Sequence, residues 1–62
     1  MTAAGLKAWR ERLKFSKTQA ARELGCSRQS IYEWESGRSP VPRYITLACA
    51  ALALGIKAET LD

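Results

Sequence analysis

An all-α domain of four to five short helices is the fold class this sequence predicts, and three observations carry that prediction. Strand signals are missing: β-branched residues are scattered, nothing alternates, and Ala, Leu, Arg, Lys and Glu dominate. Apolar residues recur at helical spacing, three or four apart. Helix punctuation is dense, with Ser16 and Ser27 placed to start helices and Gly25, Gly37 and Gly55 placed to end them. The chain of 62 residues makes one domain, 1–62. A domain this short buries only about 60 % of the surface its unfolded form exposes, so helix packing must be economical.

The first helix is expected over roughly residues 3 to 14. Leu6, Trp9 and Leu13 fall on one stripe, Arg10 at its edge, and Lys7, Glu11 and Arg12 elsewhere. Thr2 suits its N-cap. In the second helix, Ser16 followed by Gln19 matches the capping box, Phe15 and Ala20 stand where a hydrophobic staple would, and Ala20, Ala21 and Leu24 face inward. Gly25 fits a left-handed helix end that a β-carbon disfavours.

The third helix starts behind Ser27 and stops before Gly37, with Ile31 and Trp34 as its buried stripe. A loop, RSPVPR, leads to Pro42, which suits the first turn of a fourth helix over about 42 to 54. That helix is apolar nearly all round: Ile45, Ala48 and Leu52 share one face, and Tyr44, Leu47, Ala51 and Leu54 another. Such a helix must be covered on more than one side. The closing IKAETLD is short enough for a turn or a truncated fifth helix.

Charge is uneven. Residues 1–43 hold nine Lys/Arg against four Glu, a balance of +5, while residues 44–62 hold Lys57 against Glu59 and Asp62, a balance of −1. A basic part facing a polyanion and an apolar part for packing would give this division, although an ordinary basic surface would give it too. The sequence lacks histidine and has two cysteines, Cys26 and Cys49, too few for a closed tetrahedral zinc site. Two cysteines in apolar helical surroundings, with no framework of paired spacings, suit a reducing cytoplasm better than a secreted scaffold, a disulfide between them being the less favoured alternative. The longest charge-free run, Tyr44 to Ile56, is too short to span a bilayer, and the charged start is no signal peptide. With no histidine and one terminal aspartate, general acid–base catalysis has no foundation, and no cofactor or small-molecule ligand is expected.

Two short helices joined by a three-to-four-residue turn containing glycine form a helix-turn-helix, here about residues 16–37. The first of the pair braces the second, whose N-terminal residues then project into a DNA major groove. The outward set is Arg28, Gln29, Tyr32 and Glu33. Arg can read guanine O6 and N7, Gln adenine N6 and N7, and Glu cytosine N4. A merely solvated helix face would use some of the same residues.

The stretch SKTQAARELGCSRQSIYEWESGR resembles the lambda-repressor-like, Cro/cI-type helix-turn-helix family. The resemblance rests on Gln19, Ala20, Ala21, Gly25, Ser27, Ile31, Trp34, Glu35 and Gly37, and the IYEWESG portion is its most specific part. It implies a sequence-specific regulator of transcription on double-stranded DNA, most simply a repressor although activation is equally compatible with the residues, with base contacts from Arg28, Gln29, Tyr32 and Glu33. It implies phosphate contacts from Ser16, Lys17 and the backbone behind Ser16, and from Arg38 and Arg43, with Arg43 alternatively along the minor groove. Gln19 either supports those contacts or only completes the capping box. The resemblance also implies a structural ion pair between Arg10 and Glu35, both of which the angular count puts beside apolar stripes.

Two features depart from the family pattern: ALALG delays the glycine after the fourth helix, and the chain stops at Asp62 with little room for a further domain. Reading helices act best in pairs, so a homodimer on DNA is expected, its seam formed by Tyr44, Leu47, Ala51, Leu54 and Leu61. That face could instead be core wrapped by the first and fifth helices. A second functional class also fits, a protein-interaction module such as an antitoxin-like partner using the apolar C-terminal face.

Overall fold

The computed structural model describes residues 1–55. Over these residues the chain forms four helices and no strand: α1 (Ala3–Arg12), α2 (Lys17–Leu24), α3 (Arg28–Glu35) and α4 (Arg43–Ala53). The all-α expectation is met. The expected closing turn or fifth helix, and Leu61 with it, lie outside the described residues.

Local chemistry sets three of the four helix starts. Thr2 Oγ1 accepts the Gly5 N–H at 2.9 Å at the head of α1. At α2 both halves of the capping box are made: Ser16 Oγ accepts the Gln19 N–H at 3.1 Å, and Gln19 Oε1 accepts the Ser16 N–H at 2.9 Å. Ser27 Oγ accepts the Ser30 N–H at 3.1 Å at α3. Such caps each contribute about 1 kcal/mol. Helix α4 has no side-chain cap. Pro42, expected inside its first turn, is the flanking residue with ψ of 150°, and its carbonyl accepts the Ile45 and Thr46 N–H groups at 3.1 and 3.3 Å. A proline has no hydroxyl or carboxylate to offer the helix end, so only its backbone carbonyl serves.

One helix end differs from the reading of the sequence. Helix α1 stops at Arg12, two residues early, because Lys14 turns left-handed at φ 60°. Around it the Phe15 N–H donates to Arg10 O and the Lys14 N–H to Glu11 O, both at 3.0 Å, the pair of bonds that makes a Schellman closure. The early stop lets Phe15 reach the core, where its ring meets Trp9 edge-on with centroids 5.9 Å apart. A left-handed lysine costs about 1–2 kcal/mol that glycine avoids, offset partly by glycine's greater freedom when unfolded. Lys14→Gly is therefore expected to stabilise the domain by about 0.5–1 kcal/mol. Urea denaturation checks this, and a destabilised variant would show that the lysine side chain contributes more than its backbone costs.

The core is one cluster: Leu6 and Trp9 from α1, Ala20 and Ala21 from α2, Ile31 and Trp34 from α3, Ile45 and Cys49 from α4. The two alanines of α2 let its neighbour α3 approach closely. Trp9 Nε1 donates to the Cys49 carbonyl at 2.9 Å, a buried bond that ties α1 to α4. On α4, Cys49 takes the central buried place, while Ala48 and Leu52, read from the sequence as sharing a face with Ile45, are only half-buried. Docking against Trp9 turns the helix so that the Ile45–Cys49 line faces in. Both cysteines are free, and burial pushes the Cys49 thiol up to about 11, with Cys26 adding to the shift. Burial raises the Cys26 thiol as well. No helix among the described residues is long and apolar enough to cross a membrane.

Candidate nucleic-acid interface

The corner between α2 and α3 begins at Gly25, whose φ of 73° most side chains resist. The chain then needs only Cys26 and Ser27 before α3 starts, so α2 and α3 pack against each other across a tight turn. Helix α3 is divided sharply by face. Ile31 is fully buried and Trp34 nearly so, whereas Arg28, Gln29 and Tyr32 are exposed and Glu33 is half-buried.

The exposed residues are organised. Lys17 Nζ at the start of α2 lies 5.1 Å from the centroid of the Tyr32 ring, a cation–π contact. Gln29 Nε2 donates to Glu33 Oε2 at 3.3 Å, one helical turn along. Lys17, Arg28, Gln29 and Tyr32 together line a hollow of about 430 Å³. A short helix pair with a glycine corner, and a polar outer face on its second helix, are thus both present in three dimensions.

A family model described as a helix-turn-helix domain matches residues 3–62. The chain belongs to the Cro/cI-type helix-turn-helix family. No curated protein and no solved structure matches it.

In this helix-turn-helix domain a second hollow of about 280 Å³ adjoins the first, lined by Lys7, Arg10, Lys17, Tyr32, Glu35 and Ser36. Lys7 of α1 and Lys17 of α2, cations on different helices, thus line one hollow with Tyr32 of α3. Lys7 was not among the residues read from the sequence as a DNA contact. Its only local signal was a place off the apolar stripe of α1, which many solvated lysines share.

Arg10 and Glu35 meet in the wall of that hollow. Arg10 Nε donates to Glu35 Oε2 at 2.7 Å and Nη2 to Oε1 at 3.1 Å, a two-pronged contact, while Nη1 donates to the Phe15 carbonyl at 3.1 Å. The side chains are 13 % and 5 % exposed, so the pair is largely removed from water. The hydrogen bond to Glu35 is the main cause raising the Arg10 pKa, against the opposing effect of burial. One guanidinium thus holds the end of α1, the turn after it and the end of α3 together.

The other expected contacts are dispersed. Ser16 and Gln19 use their side-chain oxygens on each other's backbone within the capping box. The Lys17 and Thr18 N–H groups then point from the open end of α2, since the first turn of a helix has no internal acceptors. Arg38 and Arg43 are exposed, and neither side chain has a partner among the described residues. Arg38 follows α3, its N–H closing the helix on Glu33 O at 3.0 Å, and Arg43 opens α4. Neither lines the two hollows. On α4, Tyr44, Leu47 and Leu54 are 67, 61 and 80 % exposed, and Ala51 is half-buried.

Proposed function

We propose that this domain binds double-stranded DNA sequence-specifically, laying α3 in the major groove, and regulates transcription as a repressor. The observation that carries the reading is the division of α3: its inner face builds the core, while Arg28, Gln29 and Tyr32 stand exposed outside that core. These are residue types that read base edges, and Lys17 stands beside them. Occupying a promoter would then block transcription without any catalytic group. In this reading Arg28, Gln29, Tyr32 and Glu33 contact bases. Lys17, with the helix end behind Ser16 and Gln19, and Arg38 and Arg43 hold phosphates.

Four to six phosphates neutralised per subunit would make affinity fall roughly 10²- to 10³-fold between 50 and 200 mM salt. Fluorescence anisotropy on a short duplex measures this, and affinity indifferent to salt would sink the proposal. Arg28→Ala should cost about 1–3 kcal/mol at a single base position. Arg43→Ala should weaken every sequence alike and lower the salt slope by about one. If Arg28→Ala lost affinity without relaxing any base preference, Arg28 would leave the reading set.

The exposed row on α4 supports a homodimer. Tyr44, Leu47, Ala51 and Leu54 are spaced three, four and three apart, the pattern of a helix seam. Pairing would set two α3 helices on half-sites about 34 Å apart. Leu47→Glu, on an exposed position, should leave the subunit folded and abolish pairing. Light scattering on a two-half-site duplex would reject the dimer if the unaltered protein stayed at one copy. The same row supports a second reading, in which another protein covers it and the domain acts as an antitoxin-like partner. Salt-independent behaviour toward duplexes would favour that alternative.

A further inference from the structure

The hydrogen bond from Gln29 Nε2 to Glu33 Oε2 restricts what this helix face can recognise. An ionised carboxylate accepts and never donates, so the amide must turn its NH₂ group toward Glu33. One of the two amide N–H groups is then engaged, leaving Gln29 with Oε1 and a single N–H facing outward. That remaining pair complements adenine, whose major-groove edge offers N6 as donor and N7 as acceptor. Guanine offers two acceptors, N7 and O6, and a glutamine bridging both would need both its N–H groups. Glu33 keeps its other oxygen, and an acceptor-only group matches the N4 donor of cytosine.

We propose that the Gln29–Glu33 pair makes this domain a reader of exocyclic amino groups, with Gln29 selecting adenine over guanine and Glu33 selecting cytosine, and that methylation of those amines excludes the protein. The inference rests on the proposed reading of duplex DNA by α3 and names the bases that reading takes. N6-methyladenine and N4-methylcytosine keep the proton that pairs with the opposite base. They present a methyl group where the major-groove N–H stood, so the acceptor atoms of Gln29 and Glu33 lose their partner. Methylation at C5 of cytosine leaves N4 intact and is a control.

The experiment selects duplexes from a random pool with the unaltered protein, Gln29→Ala and Glu33→Ala. The base position whose preference vanishes in Gln29→Ala is the one Gln29 reads. Adenine is expected there, with cytosine at the position lost in Glu33→Ala. Glu33→Ala should also free the second amide N–H, so that guanine becomes accepted at the Gln29 position to within about threefold of adenine. Titration of the selected duplex should show about 5- to 150-fold weaker binding when the read adenine carries N6-methyl or the read cytosine N4-methyl. The C5-methyl duplex should bind within about threefold of the unmodified one. Both side chains lie on the outer side of α3, so neither variant disturbs the core. Guanine selected by Gln29, amine methylation without effect, or Glu33→Ala leaving the adenine preference whole would each overturn this inference while leaving DNA reading by α3 in place. Failure to enrich any duplex would overturn the proposed function and this inference together.

Discussion

Arg10→Ala should remove a large share of this domain's stability. The guanidinium makes two hydrogen bonds to Glu35 and a third to the Phe15 carbonyl, and Glu35 is only 5 % exposed. Deleting the cation leaves a carboxylate held away from water with no counter-charge, a loss of about 3–5 kcal/mol. A domain of this length has roughly 3–9 kcal/mol of total stability. Arg10→Lys should recover only part of the loss, because a point charge cannot reproduce the two-pronged contact. Replacing both partners, as Arg10→Met with Glu35→Leu, should restore most of the stability, since an uncharged pair leaves nothing unsatisfied. Urea denaturation of the three variants distinguishes these cases. A cost below about 1 kcal/mol for Arg10→Ala would mean that the pair behaves as a solvated surface contact.

The pH dependence of this contribution has a definite sign. Pairing with Glu35 raises the Arg10 pKa in the folded state. The stability it contributes is fully present below the unfolded value and is lost only as pH rises through the folded one. An arginine stays protonated under any ordinary alkaline condition, so basic buffers should not weaken the link.

Trp9→Ala should be comparably damaging, through packing and not charge. Trp9 is nearly buried, meets the Phe15 ring edge-on and donates its indole N–H to the Cys49 carbonyl. Truncation removes about 3–5 kcal/mol, a large share of the domain's stability. Trp9→Phe separates the two contributions: it keeps an aromatic ring in the cluster and loses the bond to α4. Its cost should be about 1–2 kcal/mol. Thermal unfolding followed by circular dichroism reads both variants. If Trp9→Phe proved as harmful as Trp9→Ala, the α1–α4 hydrogen bond would matter more than the ring it hangs from.

Much of this architecture was legible before any coordinates. Ser16, Gln19, Ser27 and the left-handed Gly25 act within three or four residues of where they stand, so their spacing alone locates α2, α3 and the corner between them. The outer face of α3 was legible for the same reason, because a single helix fixes which residues oppose Ile31 and Trp34. The pairing of Arg10 with Glu35 was not a local matter. Family resemblance pointed to it, and the structure supplies its geometry and its third bond to Phe15.

What the sequence determined by itself is therefore the set of helices, their polar and apolar faces, and the family to which they conform. Only the tertiary structure decided that α1 ends early on a left-handed lysine, that Cys49 is the central buried residue of α4, and that Lys7 and Lys17 line one hollow. Caps and helical periodicity are written in neighbouring residues, whereas crossing angles depend on how distant side chains fill a shared core. Trp9 and Phe15 set that packing from one side and Ile31 and Trp34 from the other, so these outcomes belong to the assembled cluster.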